Sequence, residues 1–201
     1  MEIRSEAAVG GTETTGTGVR DRLVLSAITL LRSRGADGFG MTELLGDSKV
    51  ARRSMYQHFP SGKAELLEVA ATQAGRHIGG QLDVLLAESP PIEALAAWVE
   101  SWKRALIDSD YRLGCPLAAA AQAAQEYPAA GAAAARAFAD FTDRIAAALA
   151  ASGVPDSEAR STARVLVSGI EGGIITSRSL RTVAPLDDLV AHARRHLSPP
   201  D

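Results

Sequence analysis

The sequence predicts an all-α protein with a small N-terminal helix-turn-helix head and a larger helical body. Apolar residues recur at spacings of three and four through most of the chain, which is the period of an amphipathic helix. No segment shows the apolar and polar alternation of a half-buried strand, and proline or glycine separates the helical segments. At 201 residues, the chain suits one large domain or a small domain joined to a larger one.

The N-terminal part begins with a tail and continues with three helices. Residues 1–18 are rich in Gly, Thr, Glu and Ala with few large apolar side chains, so we expect a disordered tail there. Leucine and alanine at helical spacing then predict a helix from Val19 to a stop at Gly35. Two short helical segments follow at about 42–48 and 52–58, each of which needs packing on its neighbours to be stable.

The body contains six predicted helices, most of them separated by proline. Alanine occupies nineteen of the thirty-four positions from Ala118 to Ala151, and alanine is the best helix former. We therefore divide the chain into a small helical head over 19–63 and a larger helical body over 64–201. The approximate helix limits in the body are 63–86, 92–107, 116–127, 128–153, 156–180 and 185–197.

Composition argues against several classes of protein. No apolar run reaches the roughly 18 residues of a membrane span, and the start lacks the pattern of a secretory signal, so we expect a cytoplasmic protein with no membrane contact. Cys115 is the single cysteine, which rules out an intrachain disulfide and a cysteine-rich metal site. His192 and His196 have the spacing of a metal pair but no third ligand in view. Without a phosphate loop or catalytic triad, we expect no enzyme activity, cofactor or metal, and a Cys115 nucleophile is the one enzymatic alternative.

Charge is unevenly distributed along the chain. Residues 19–63 carry eight basic and four acidic side chains, a net charge of +4. Residues 64–201 carry twelve basic and seventeen acidic side chains, a net charge of −5. A basic head on an acidic body favours a nucleic-acid partner for the head, although a chance imbalance of solvated charges explains the same numbers.

The segment Phe39–Leu67 predicts a helix-turn-helix. Two short helices are joined by a tight turn, and the second is rich in polar and basic residues. The major groove of DNA is about 12 Å wide and admits one such helix, while the lysine at the start of the next helix suits a phosphate. The candidate DNA-binding residues are Thr42, Arg52, Arg53, Ser54, Tyr56, Gln57, His58 and Lys63.

The run Arg52–Lys63, RRSMYQHFPSGK, resembles the recognition helix and following turn of TetR-type transcriptional repressors. The resemblance implies a three-helix DNA-binding head, a ligand-binding helical body and a homodimer on double-stranded DNA. It also implies that Tyr56, His58 and Lys63 meet phosphates, whereas Arg52, Arg53 and Ser54 face bases or backbone. The main hypothesis is a repressor that a small-molecule effector releases from a palindromic operator.

Two stretches of the body resemble the LmrA/YxaF-like branch of this family. They are the run Gly114–Ala118, GCPLA, and the region from Ile170 through Gly173 and Arg178 to Leu186. Because the basic residues cluster in the head, we expect the effector to be largely apolar rather than an anion.

The head departs from the family pattern at two positions. Lys49 stands where the family has glycine in the turn, and Ala51 stands where it has serine at the start of the recognition helix. A positive φ at Lys49 costs about 1 kcal/mol, as does the loss of an N-cap side chain. Asp47 or Ser48 are candidate local caps, and Thr42 is the expected N-cap of the preceding helix. The alternative hypothesis is a ligand-binding dimer with impaired DNA binding.

The body contains candidate pocket residues that ordinary core packing explains as well. Two tryptophans lie four apart on one helix face, and ligand sites are mostly apolar with a few placed polar groups. Cys115 at a helix start is either a thiol sensor with a lowered pKa or a buried thiol, and Glu171 needs a polar partner, for which Arg178 is one candidate. The pocket candidates are Trp98, Trp102, Cys115, Phe138, Phe141 and Glu171.

Three glycines in the predicted helix over 156–180 indicate a close helix contact. Gly169, Gly172 and Gly173 each cost about 1 kcal/mol relative to alanine unless another helix must pass close by. By resemblance, this helix and a neighbouring one build the dimer interface. The interface and core candidates are Val165, Leu166, Ile170, Gly173, Ile174 and Ile175.

Overall fold

The computed structural model describes residues 18–197, which form nine helices and no strand. The predicted all-α fold is confirmed, and most helix ends lie within two residues of the predicted ones. Apart from Gly18, the tail predicted over residues 1–18 lies outside the described residues. The helices are α1 (Val19–Arg34), α2 (Met41–Ser48), α3 (Arg52–His58), α4 (Lys63–Glu88), α5 (Pro91–Asp108), α6 (Pro116–Gln122), α7 (Pro128–Ala151), α8 (Asp156–Leu180) and α9 (Ala184–Leu197).

The head consists of α1, α2 and α3, packed against the beginning of α4. Its small core is fully buried at Leu44, Met55, Phe59 and Leu66, one from each of α2, α3, the following turn and α4. Short helices such as α2 and α3 are not stable alone, so this shared core is what holds them in place.

The body is organised around the long helices α4, α7 and α8. Helix α4 runs from the head into the body and packs closely on α7, where a Cβ added at Gly75 would lie 2.8 Å from the Cβ of Ala137. Phe141 of α7 makes edge-to-face contacts with Trp98 at 5.6 Å and with Phe138 at 6.3 Å between ring centroids. Small residues therefore set the helix spacing, and a few aromatic side chains fill the wider part of the core.

Close packing of α9 on α8 explains two of the three glycines. A Cβ at Gly169 would lie 2.8 Å from Leu189, and one at Gly173 would lie 2.6 Å from the buried Leu186. The prediction of a close helix is confirmed at these two positions. At Gly172 no atom of the described residues lies within 4 Å of a Cβ built there, so the close contact predicted at this position is not made inside the subunit.

The loop between α5 and α6 joins the head to α8. The Arg32 side chain donates from Nε to the Gly114 carbonyl at 3.0 Å, and the Gly114 N–H donates to the Arg32 carbonyl at 2.9 Å. From the other side, Arg178 of α8 donates to the carbonyls of Tyr111 at 3.4 Å and Arg112 at 2.9 Å. A Cβ at Gly114 would lie 2.7 Å from Nη1 of Arg178, so a side chain there would require Arg178 to shift. One loop thus contacts both α1 and α8.

Candidate nucleic-acid interface

Helix α3 separates a buried apolar side from an exposed polar side. Met55 and the following Phe59 are fully buried, and they fix the helix on the head. The outward side carries two arginines and three polar or aromatic side chains, and Tyr56 is 45% exposed. Of the predicted contact residues, Arg52, Arg53, Tyr56, Gln57 and His58 are exposed, whereas Ser54 is half-buried.

The turn between α2 and α3 contains the strained residue that the sequence predicts. Lys49 adopts the left-handed conformation at φ 53° and ψ 41°, and its N–H closes α2 on the Leu45 carbonyl. This confirms the expected positive φ, which a residue with a Cβ adopts at a cost of about 1 kcal/mol or more.

Helix α3 begins without a side-chain cap. Ala51 is its N-cap residue, and neither predicted local cap replaces the missing hydroxyl. Asp47 instead accepts a hydrogen bond from the Ser26 hydroxyl of α1, and the Ser48 hydroxyl faces the Leu45 carbonyl at 3.5 Å. The buried underside of α3, rather than a cap, therefore holds this helix in position.

Helix α2 begins at Met41, one residue earlier than the predicted segment of about 42–48. Gly40 is its N-cap residue, and the Gly40 carbonyl accepts the Leu44 N–H at 3.1 Å. The prediction of Thr42 as N-cap is wrong, because Met41 already belongs to the helix. Thr42 lies in the first turn with its side chain exposed.

Lys63 at the start of α4 is bound within the head. Its ammonium donates to the carbonyls of Ala36 and Phe39, both at 2.6 Å, and lies 4.4 Å from the centre of the Phe39 ring. Burial lowers the pKa of Lys63, because the ammonium loses hydration there. Lys63 therefore fastens α4 to the loop between α1 and α2, a role that its position after the motif did not suggest.

A cluster of exposed cations surrounds the recognition helix. Lys49, Arg52 and Arg53 are exposed, and none of them forms an ion pair with a residue in the range 18–197. Nearby, the carboxylate of Glu43 is paired with Arg34, so its negative charge is locally compensated. The surface that α3 presents is consequently positive, as binding to a phosphate backbone requires.

Comparisons with known proteins identify the family of this chain. Residues 91–192 match the family described as "Transcriptional regulator LmrA/YxaF-like, C-terminal domain". The chain is 34% identical over 186 residues to the HTH-type transcriptional regulator Rv0196 of Mycobacterium tuberculosis, covering 90% of this chain and 94% of that one. The chain belongs to the TetR family, in its LmrA/YxaF-like branch.

Two further similarities extend over most of the regulator. LmrA of Bacillus subtilis is 24% identical over 169 residues, which cover 83% of this chain and 90% of that protein. A crystal structure of a TetR transcriptional regulator from Legionella pneumophila has the same fold, with a TM-score of 0.84 at 17% identity over 92% of this chain and all of that one. The regulator therefore has a helix-turn-helix head. The family to which it belongs consists of transcriptional regulators, which are not enzymes.

The predicted pocket residues of the regulator are divided between two cavities and the core. Trp102 lines a cavity of about 350 Å³, whereas Phe138 and Glu171 line a different one of about 650 Å³. Trp98 and Phe141 are buried against each other in the core. The six residues therefore do not form one pocket.

Cys115 is a buried thiol that lies beside the half-buried carboxyl of Glu171. Burial, and then the nearby Glu171 carboxyl, raise the pKa of the Cys115 thiol well above its ordinary value, despite backbone hydrogen bonds at the start of α6. Of the two alternatives for Cys115, the structure therefore corresponds to the buried thiol. Burial likewise raises the pKa of Glu171 to about 7. Arg178 is not the partner of Glu171, since its guanidinium binds the loop carbonyls at residues 111 and 112.

Most of the predicted interface residues lie inside the subunit. Leu166, Ile170, Gly173 and Ile174 are buried under α9 or in the core, which corresponds to the core alternative. Val165 remains 65% exposed on α8, and Ile175 is 50% exposed. Only these two of the candidates offer a large apolar side chain to another molecule.

Proposed function

We propose that this regulator is a cytoplasmic homodimeric repressor that binds a palindromic operator and is released by a small, largely apolar ligand. The observation that supports the proposal most is the exposed basic face of α3 on a fully buried underside. A helix held in this way presents fixed side chains to the major groove, as sequence readout requires.

Individual roles follow from position on α3. Arg52 and Arg53 lie in its first turn, and in helix-turn-helix proteins the N-terminal residues of the recognition helix reach base edges. Tyr56 and His58 lie further along the exposed side and are assigned to phosphates, together with the exposed Thr42 of α2. The Lys63 ammonium uses two of its three N–H groups on carbonyls of the head, so at most one is left for the phosphate contact that the resemblance implies.

A second copy is expected to pack on the exposed side of α8. This side carries Val165 and Ile175 with Gly172 between them, and the open space at Gly172 lets another helix approach closely. Leu180, at the end of α8, is 66% exposed and extends the apolar surface. Two heads joined in this way would place their recognition helices about 34–36 Å apart, which requires an operator with two-fold symmetry.

The proposal is tested by binding of the purified protein to its own upstream intergenic DNA across a salt series. We expect a specific, palindrome-dependent complex whose affinity falls steeply with salt, because phosphate contacts release counterions. Arg53→Ala should weaken this complex by about 1–3 kcal/mol and relax specificity at one position. Arg136→Ala is the matched control, since Arg136 is an exposed arginine on α7 of the body.

Equal losses for the two arginine variants would reject α3 as the reading surface. Absence of any specific complex with a folded dimer favours the alternative, a ligand-binding dimer whose head is impaired by Lys49 and Ala51. Selection of bound fragments from the whole genome separates that alternative from an operator located elsewhere. A third hypothesis, a thiol sensor at Cys115, has less support because the thiol is buried and its pKa is raised.

A further inference from the structure

A cavity of about 350 Å³ lies between the head and the body. Leu25, Ile28 and Arg32 of α1 form its head side, and residues of α4 and α5, including Trp102, form its body side. Its volume falls within the range of about 300–1,000 Å³ that is usual for small-molecule sites. Because Leu25 is 50% exposed, the cavity is open to solvent beside α1.

The wall of this cavity offers hydrogen-bond donors and no acidic side chain. The half-buried guanidinium of Arg32 uses Nε on the Gly114 carbonyl and forms no ion pair with any residue of the described range. Burial lowers the pKa of Arg32, because the cation loses hydration there. The indole N–H of Trp102 is buried and has no acceptor in the described part of the chain.

Three other large cavities among residues 18–197 have acidic side chains in their walls. Those of about 650, 410 and 570 Å³ each include at least one aspartate or glutamate in their walls. In the first of them, Arg160 is already paired with Asp143. A wall with a cation that forms no ion pair, and with no carboxylate beside it, therefore distinguishes the cavity between head and body from these three.

We propose that this cavity binds a small organic acid, with its apolar part against Leu25, Ile28 and Trp102 and its acid group on the guanidinium of Arg32. The two remaining guanidinium nitrogens match the two oxygens of a carboxylate or sulfonate. An acid of this kind is an anion, so it differs from the effector that the sequence predicts, which is largely apolar rather than an anion. The difference arises because the arginine that binds the acid group belongs to α1 of the head and not to the body.

The same arginine links the ligand to the position of the head. Arg32 holds Gly114 through two hydrogen bonds, so an acid that draws its guanidinium into the cavity acts directly on the contact between α1 and the loop of residues 109–115. This consequence for operator release rests on the proposed function, whereas binding of the acid does not.

The test uses two fluorescent probes that differ by one acid group. The probes are 8-anilinonaphthalene-1-sulfonate and its neutral analogue N-phenyl-1-naphthylamine, titrated into the full-length protein without DNA. We expect the sulfonate to bind one site per chain and Arg32→Met to weaken it at least about tenfold, as loss of a charge-assisted hydrogen bond predicts. The neutral probe should bind Arg32→Met and the unmodified protein alike.

Controls separate the site from general effects of charge or folding. Arg164→Met removes the same charge from the wall of the 650 Å³ cavity and should leave sulfonate binding unchanged. Arg32→Lys should retain part of the affinity, and Trp102→Phe should weaken binding while keeping an aromatic ring. Thermal unfolding establishes that each variant is folded.

Equal binding of the two probes, or equal loss in Arg32→Met and Arg164→Met, would overturn the proposal. Sulfonate binding that survives in both Arg32→Met and Trp102→Phe would overturn it as well. Since these titrations contain no DNA, their failure leaves operator binding untouched, and a failure to bind an operator leaves the cavity result valid.

Discussion

The contact between α4 and α7 leads to a prediction about Gly75. Replacing Gly75 by alanine would place a Cβ 2.8 Å from the Cβ of Ala137, an atom fixed directly to the backbone of α7. Carbon atoms pack best at about 3.5–4.0 Å, so the two helices must separate by close to 1 Å. Unlike a long side chain, Ala137 has no rotamer that relieves this contact.

The expected magnitude is a difference of two effects. Overpacking a well-packed core costs about 1–3 kcal/mol, and alanine gains about 1 kcal/mol over glycine within a helix. We therefore expect Gly75→Ala to lower the free energy of unfolding by up to about 2 kcal/mol. For a protein of this size, this corresponds to a fall in Tm of up to about 8 °C.

Thermal unfolding at fixed protein concentration measures the effect. Gly80→Ala is the matched control, because Gly80 lies on the same helix, is exposed and has no atom within 4 Å of an added Cβ. It should raise Tm by about 1–4 °C through helix propensity alone. The double variant Gly75→Ala/Ala137→Gly should recover part of the loss, since it removes the opposing methyl group. If Gly75→Ala is as stable as Gly80→Ala, the close packing inferred for α4 and α7 is wrong.

Three further predictions concern single side chains. Lys49→Gly should stabilise the head by about 1 kcal/mol in thermal unfolding, because glycine adopts the left-handed conformation without the Cβ penalty; an unchanged Tm contradicts this. Burial raises the pKa of Glu171 from 4.5 to about 7. Between pH 4.5 and about pH 7 the folded state therefore binds more protons than the unfolded state, and the free energy of unfolding falls as pH rises through this range. Glu171→Gln should reduce the difference in Tm between about pH 5 and about pH 8. An unchanged difference would refute the raised pKa of Glu171 as its cause. Cys115 should react with a thiol reagent far more slowly in the folded than in the urea-unfolded protein, since the thiolate is the reactive form, and equal rates would refute burial.

Local features of the fold were predictable from the sequence because they depend on neighbours along the chain. Proline and glycine mark most helix ends, and apolar spacing indicates the helices themselves. The turn conformation at Lys49 also followed from its place in the motif. The prediction of Thr42 as the N-cap of α2 was wrong because threonine and glycine both suit that position. Only the backbone shows that Gly40, two residues before Thr42, has this role.

Contacts between distant elements were not predictable in the same way. Arg178 and Glu171 are seven apart on one helix, so their spacing suggested a pair. The loop of residues 109–115 instead offers backbone carbonyls to Arg178, while Glu171 lies beside Cys115. Likewise, nothing in the local sequence indicates that Lys63 binds two carbonyls of the preceding loop. Such pairings depend on how helices far apart in sequence are packed.

The two hydrogen bonds between Arg32 and Gly114 limit how freely this head can be recombined with other bodies. A chimaera that transplants residues 19–63 onto a foreign regulator cuts the chain at the first residue of α4 and removes the partner of Arg32. The natural unit of exchange is instead the head together with the loop of residues 109–115 and the arginine at 178. In lineages that shuffle DNA-binding heads among ligand-binding bodies, these positions should therefore change together.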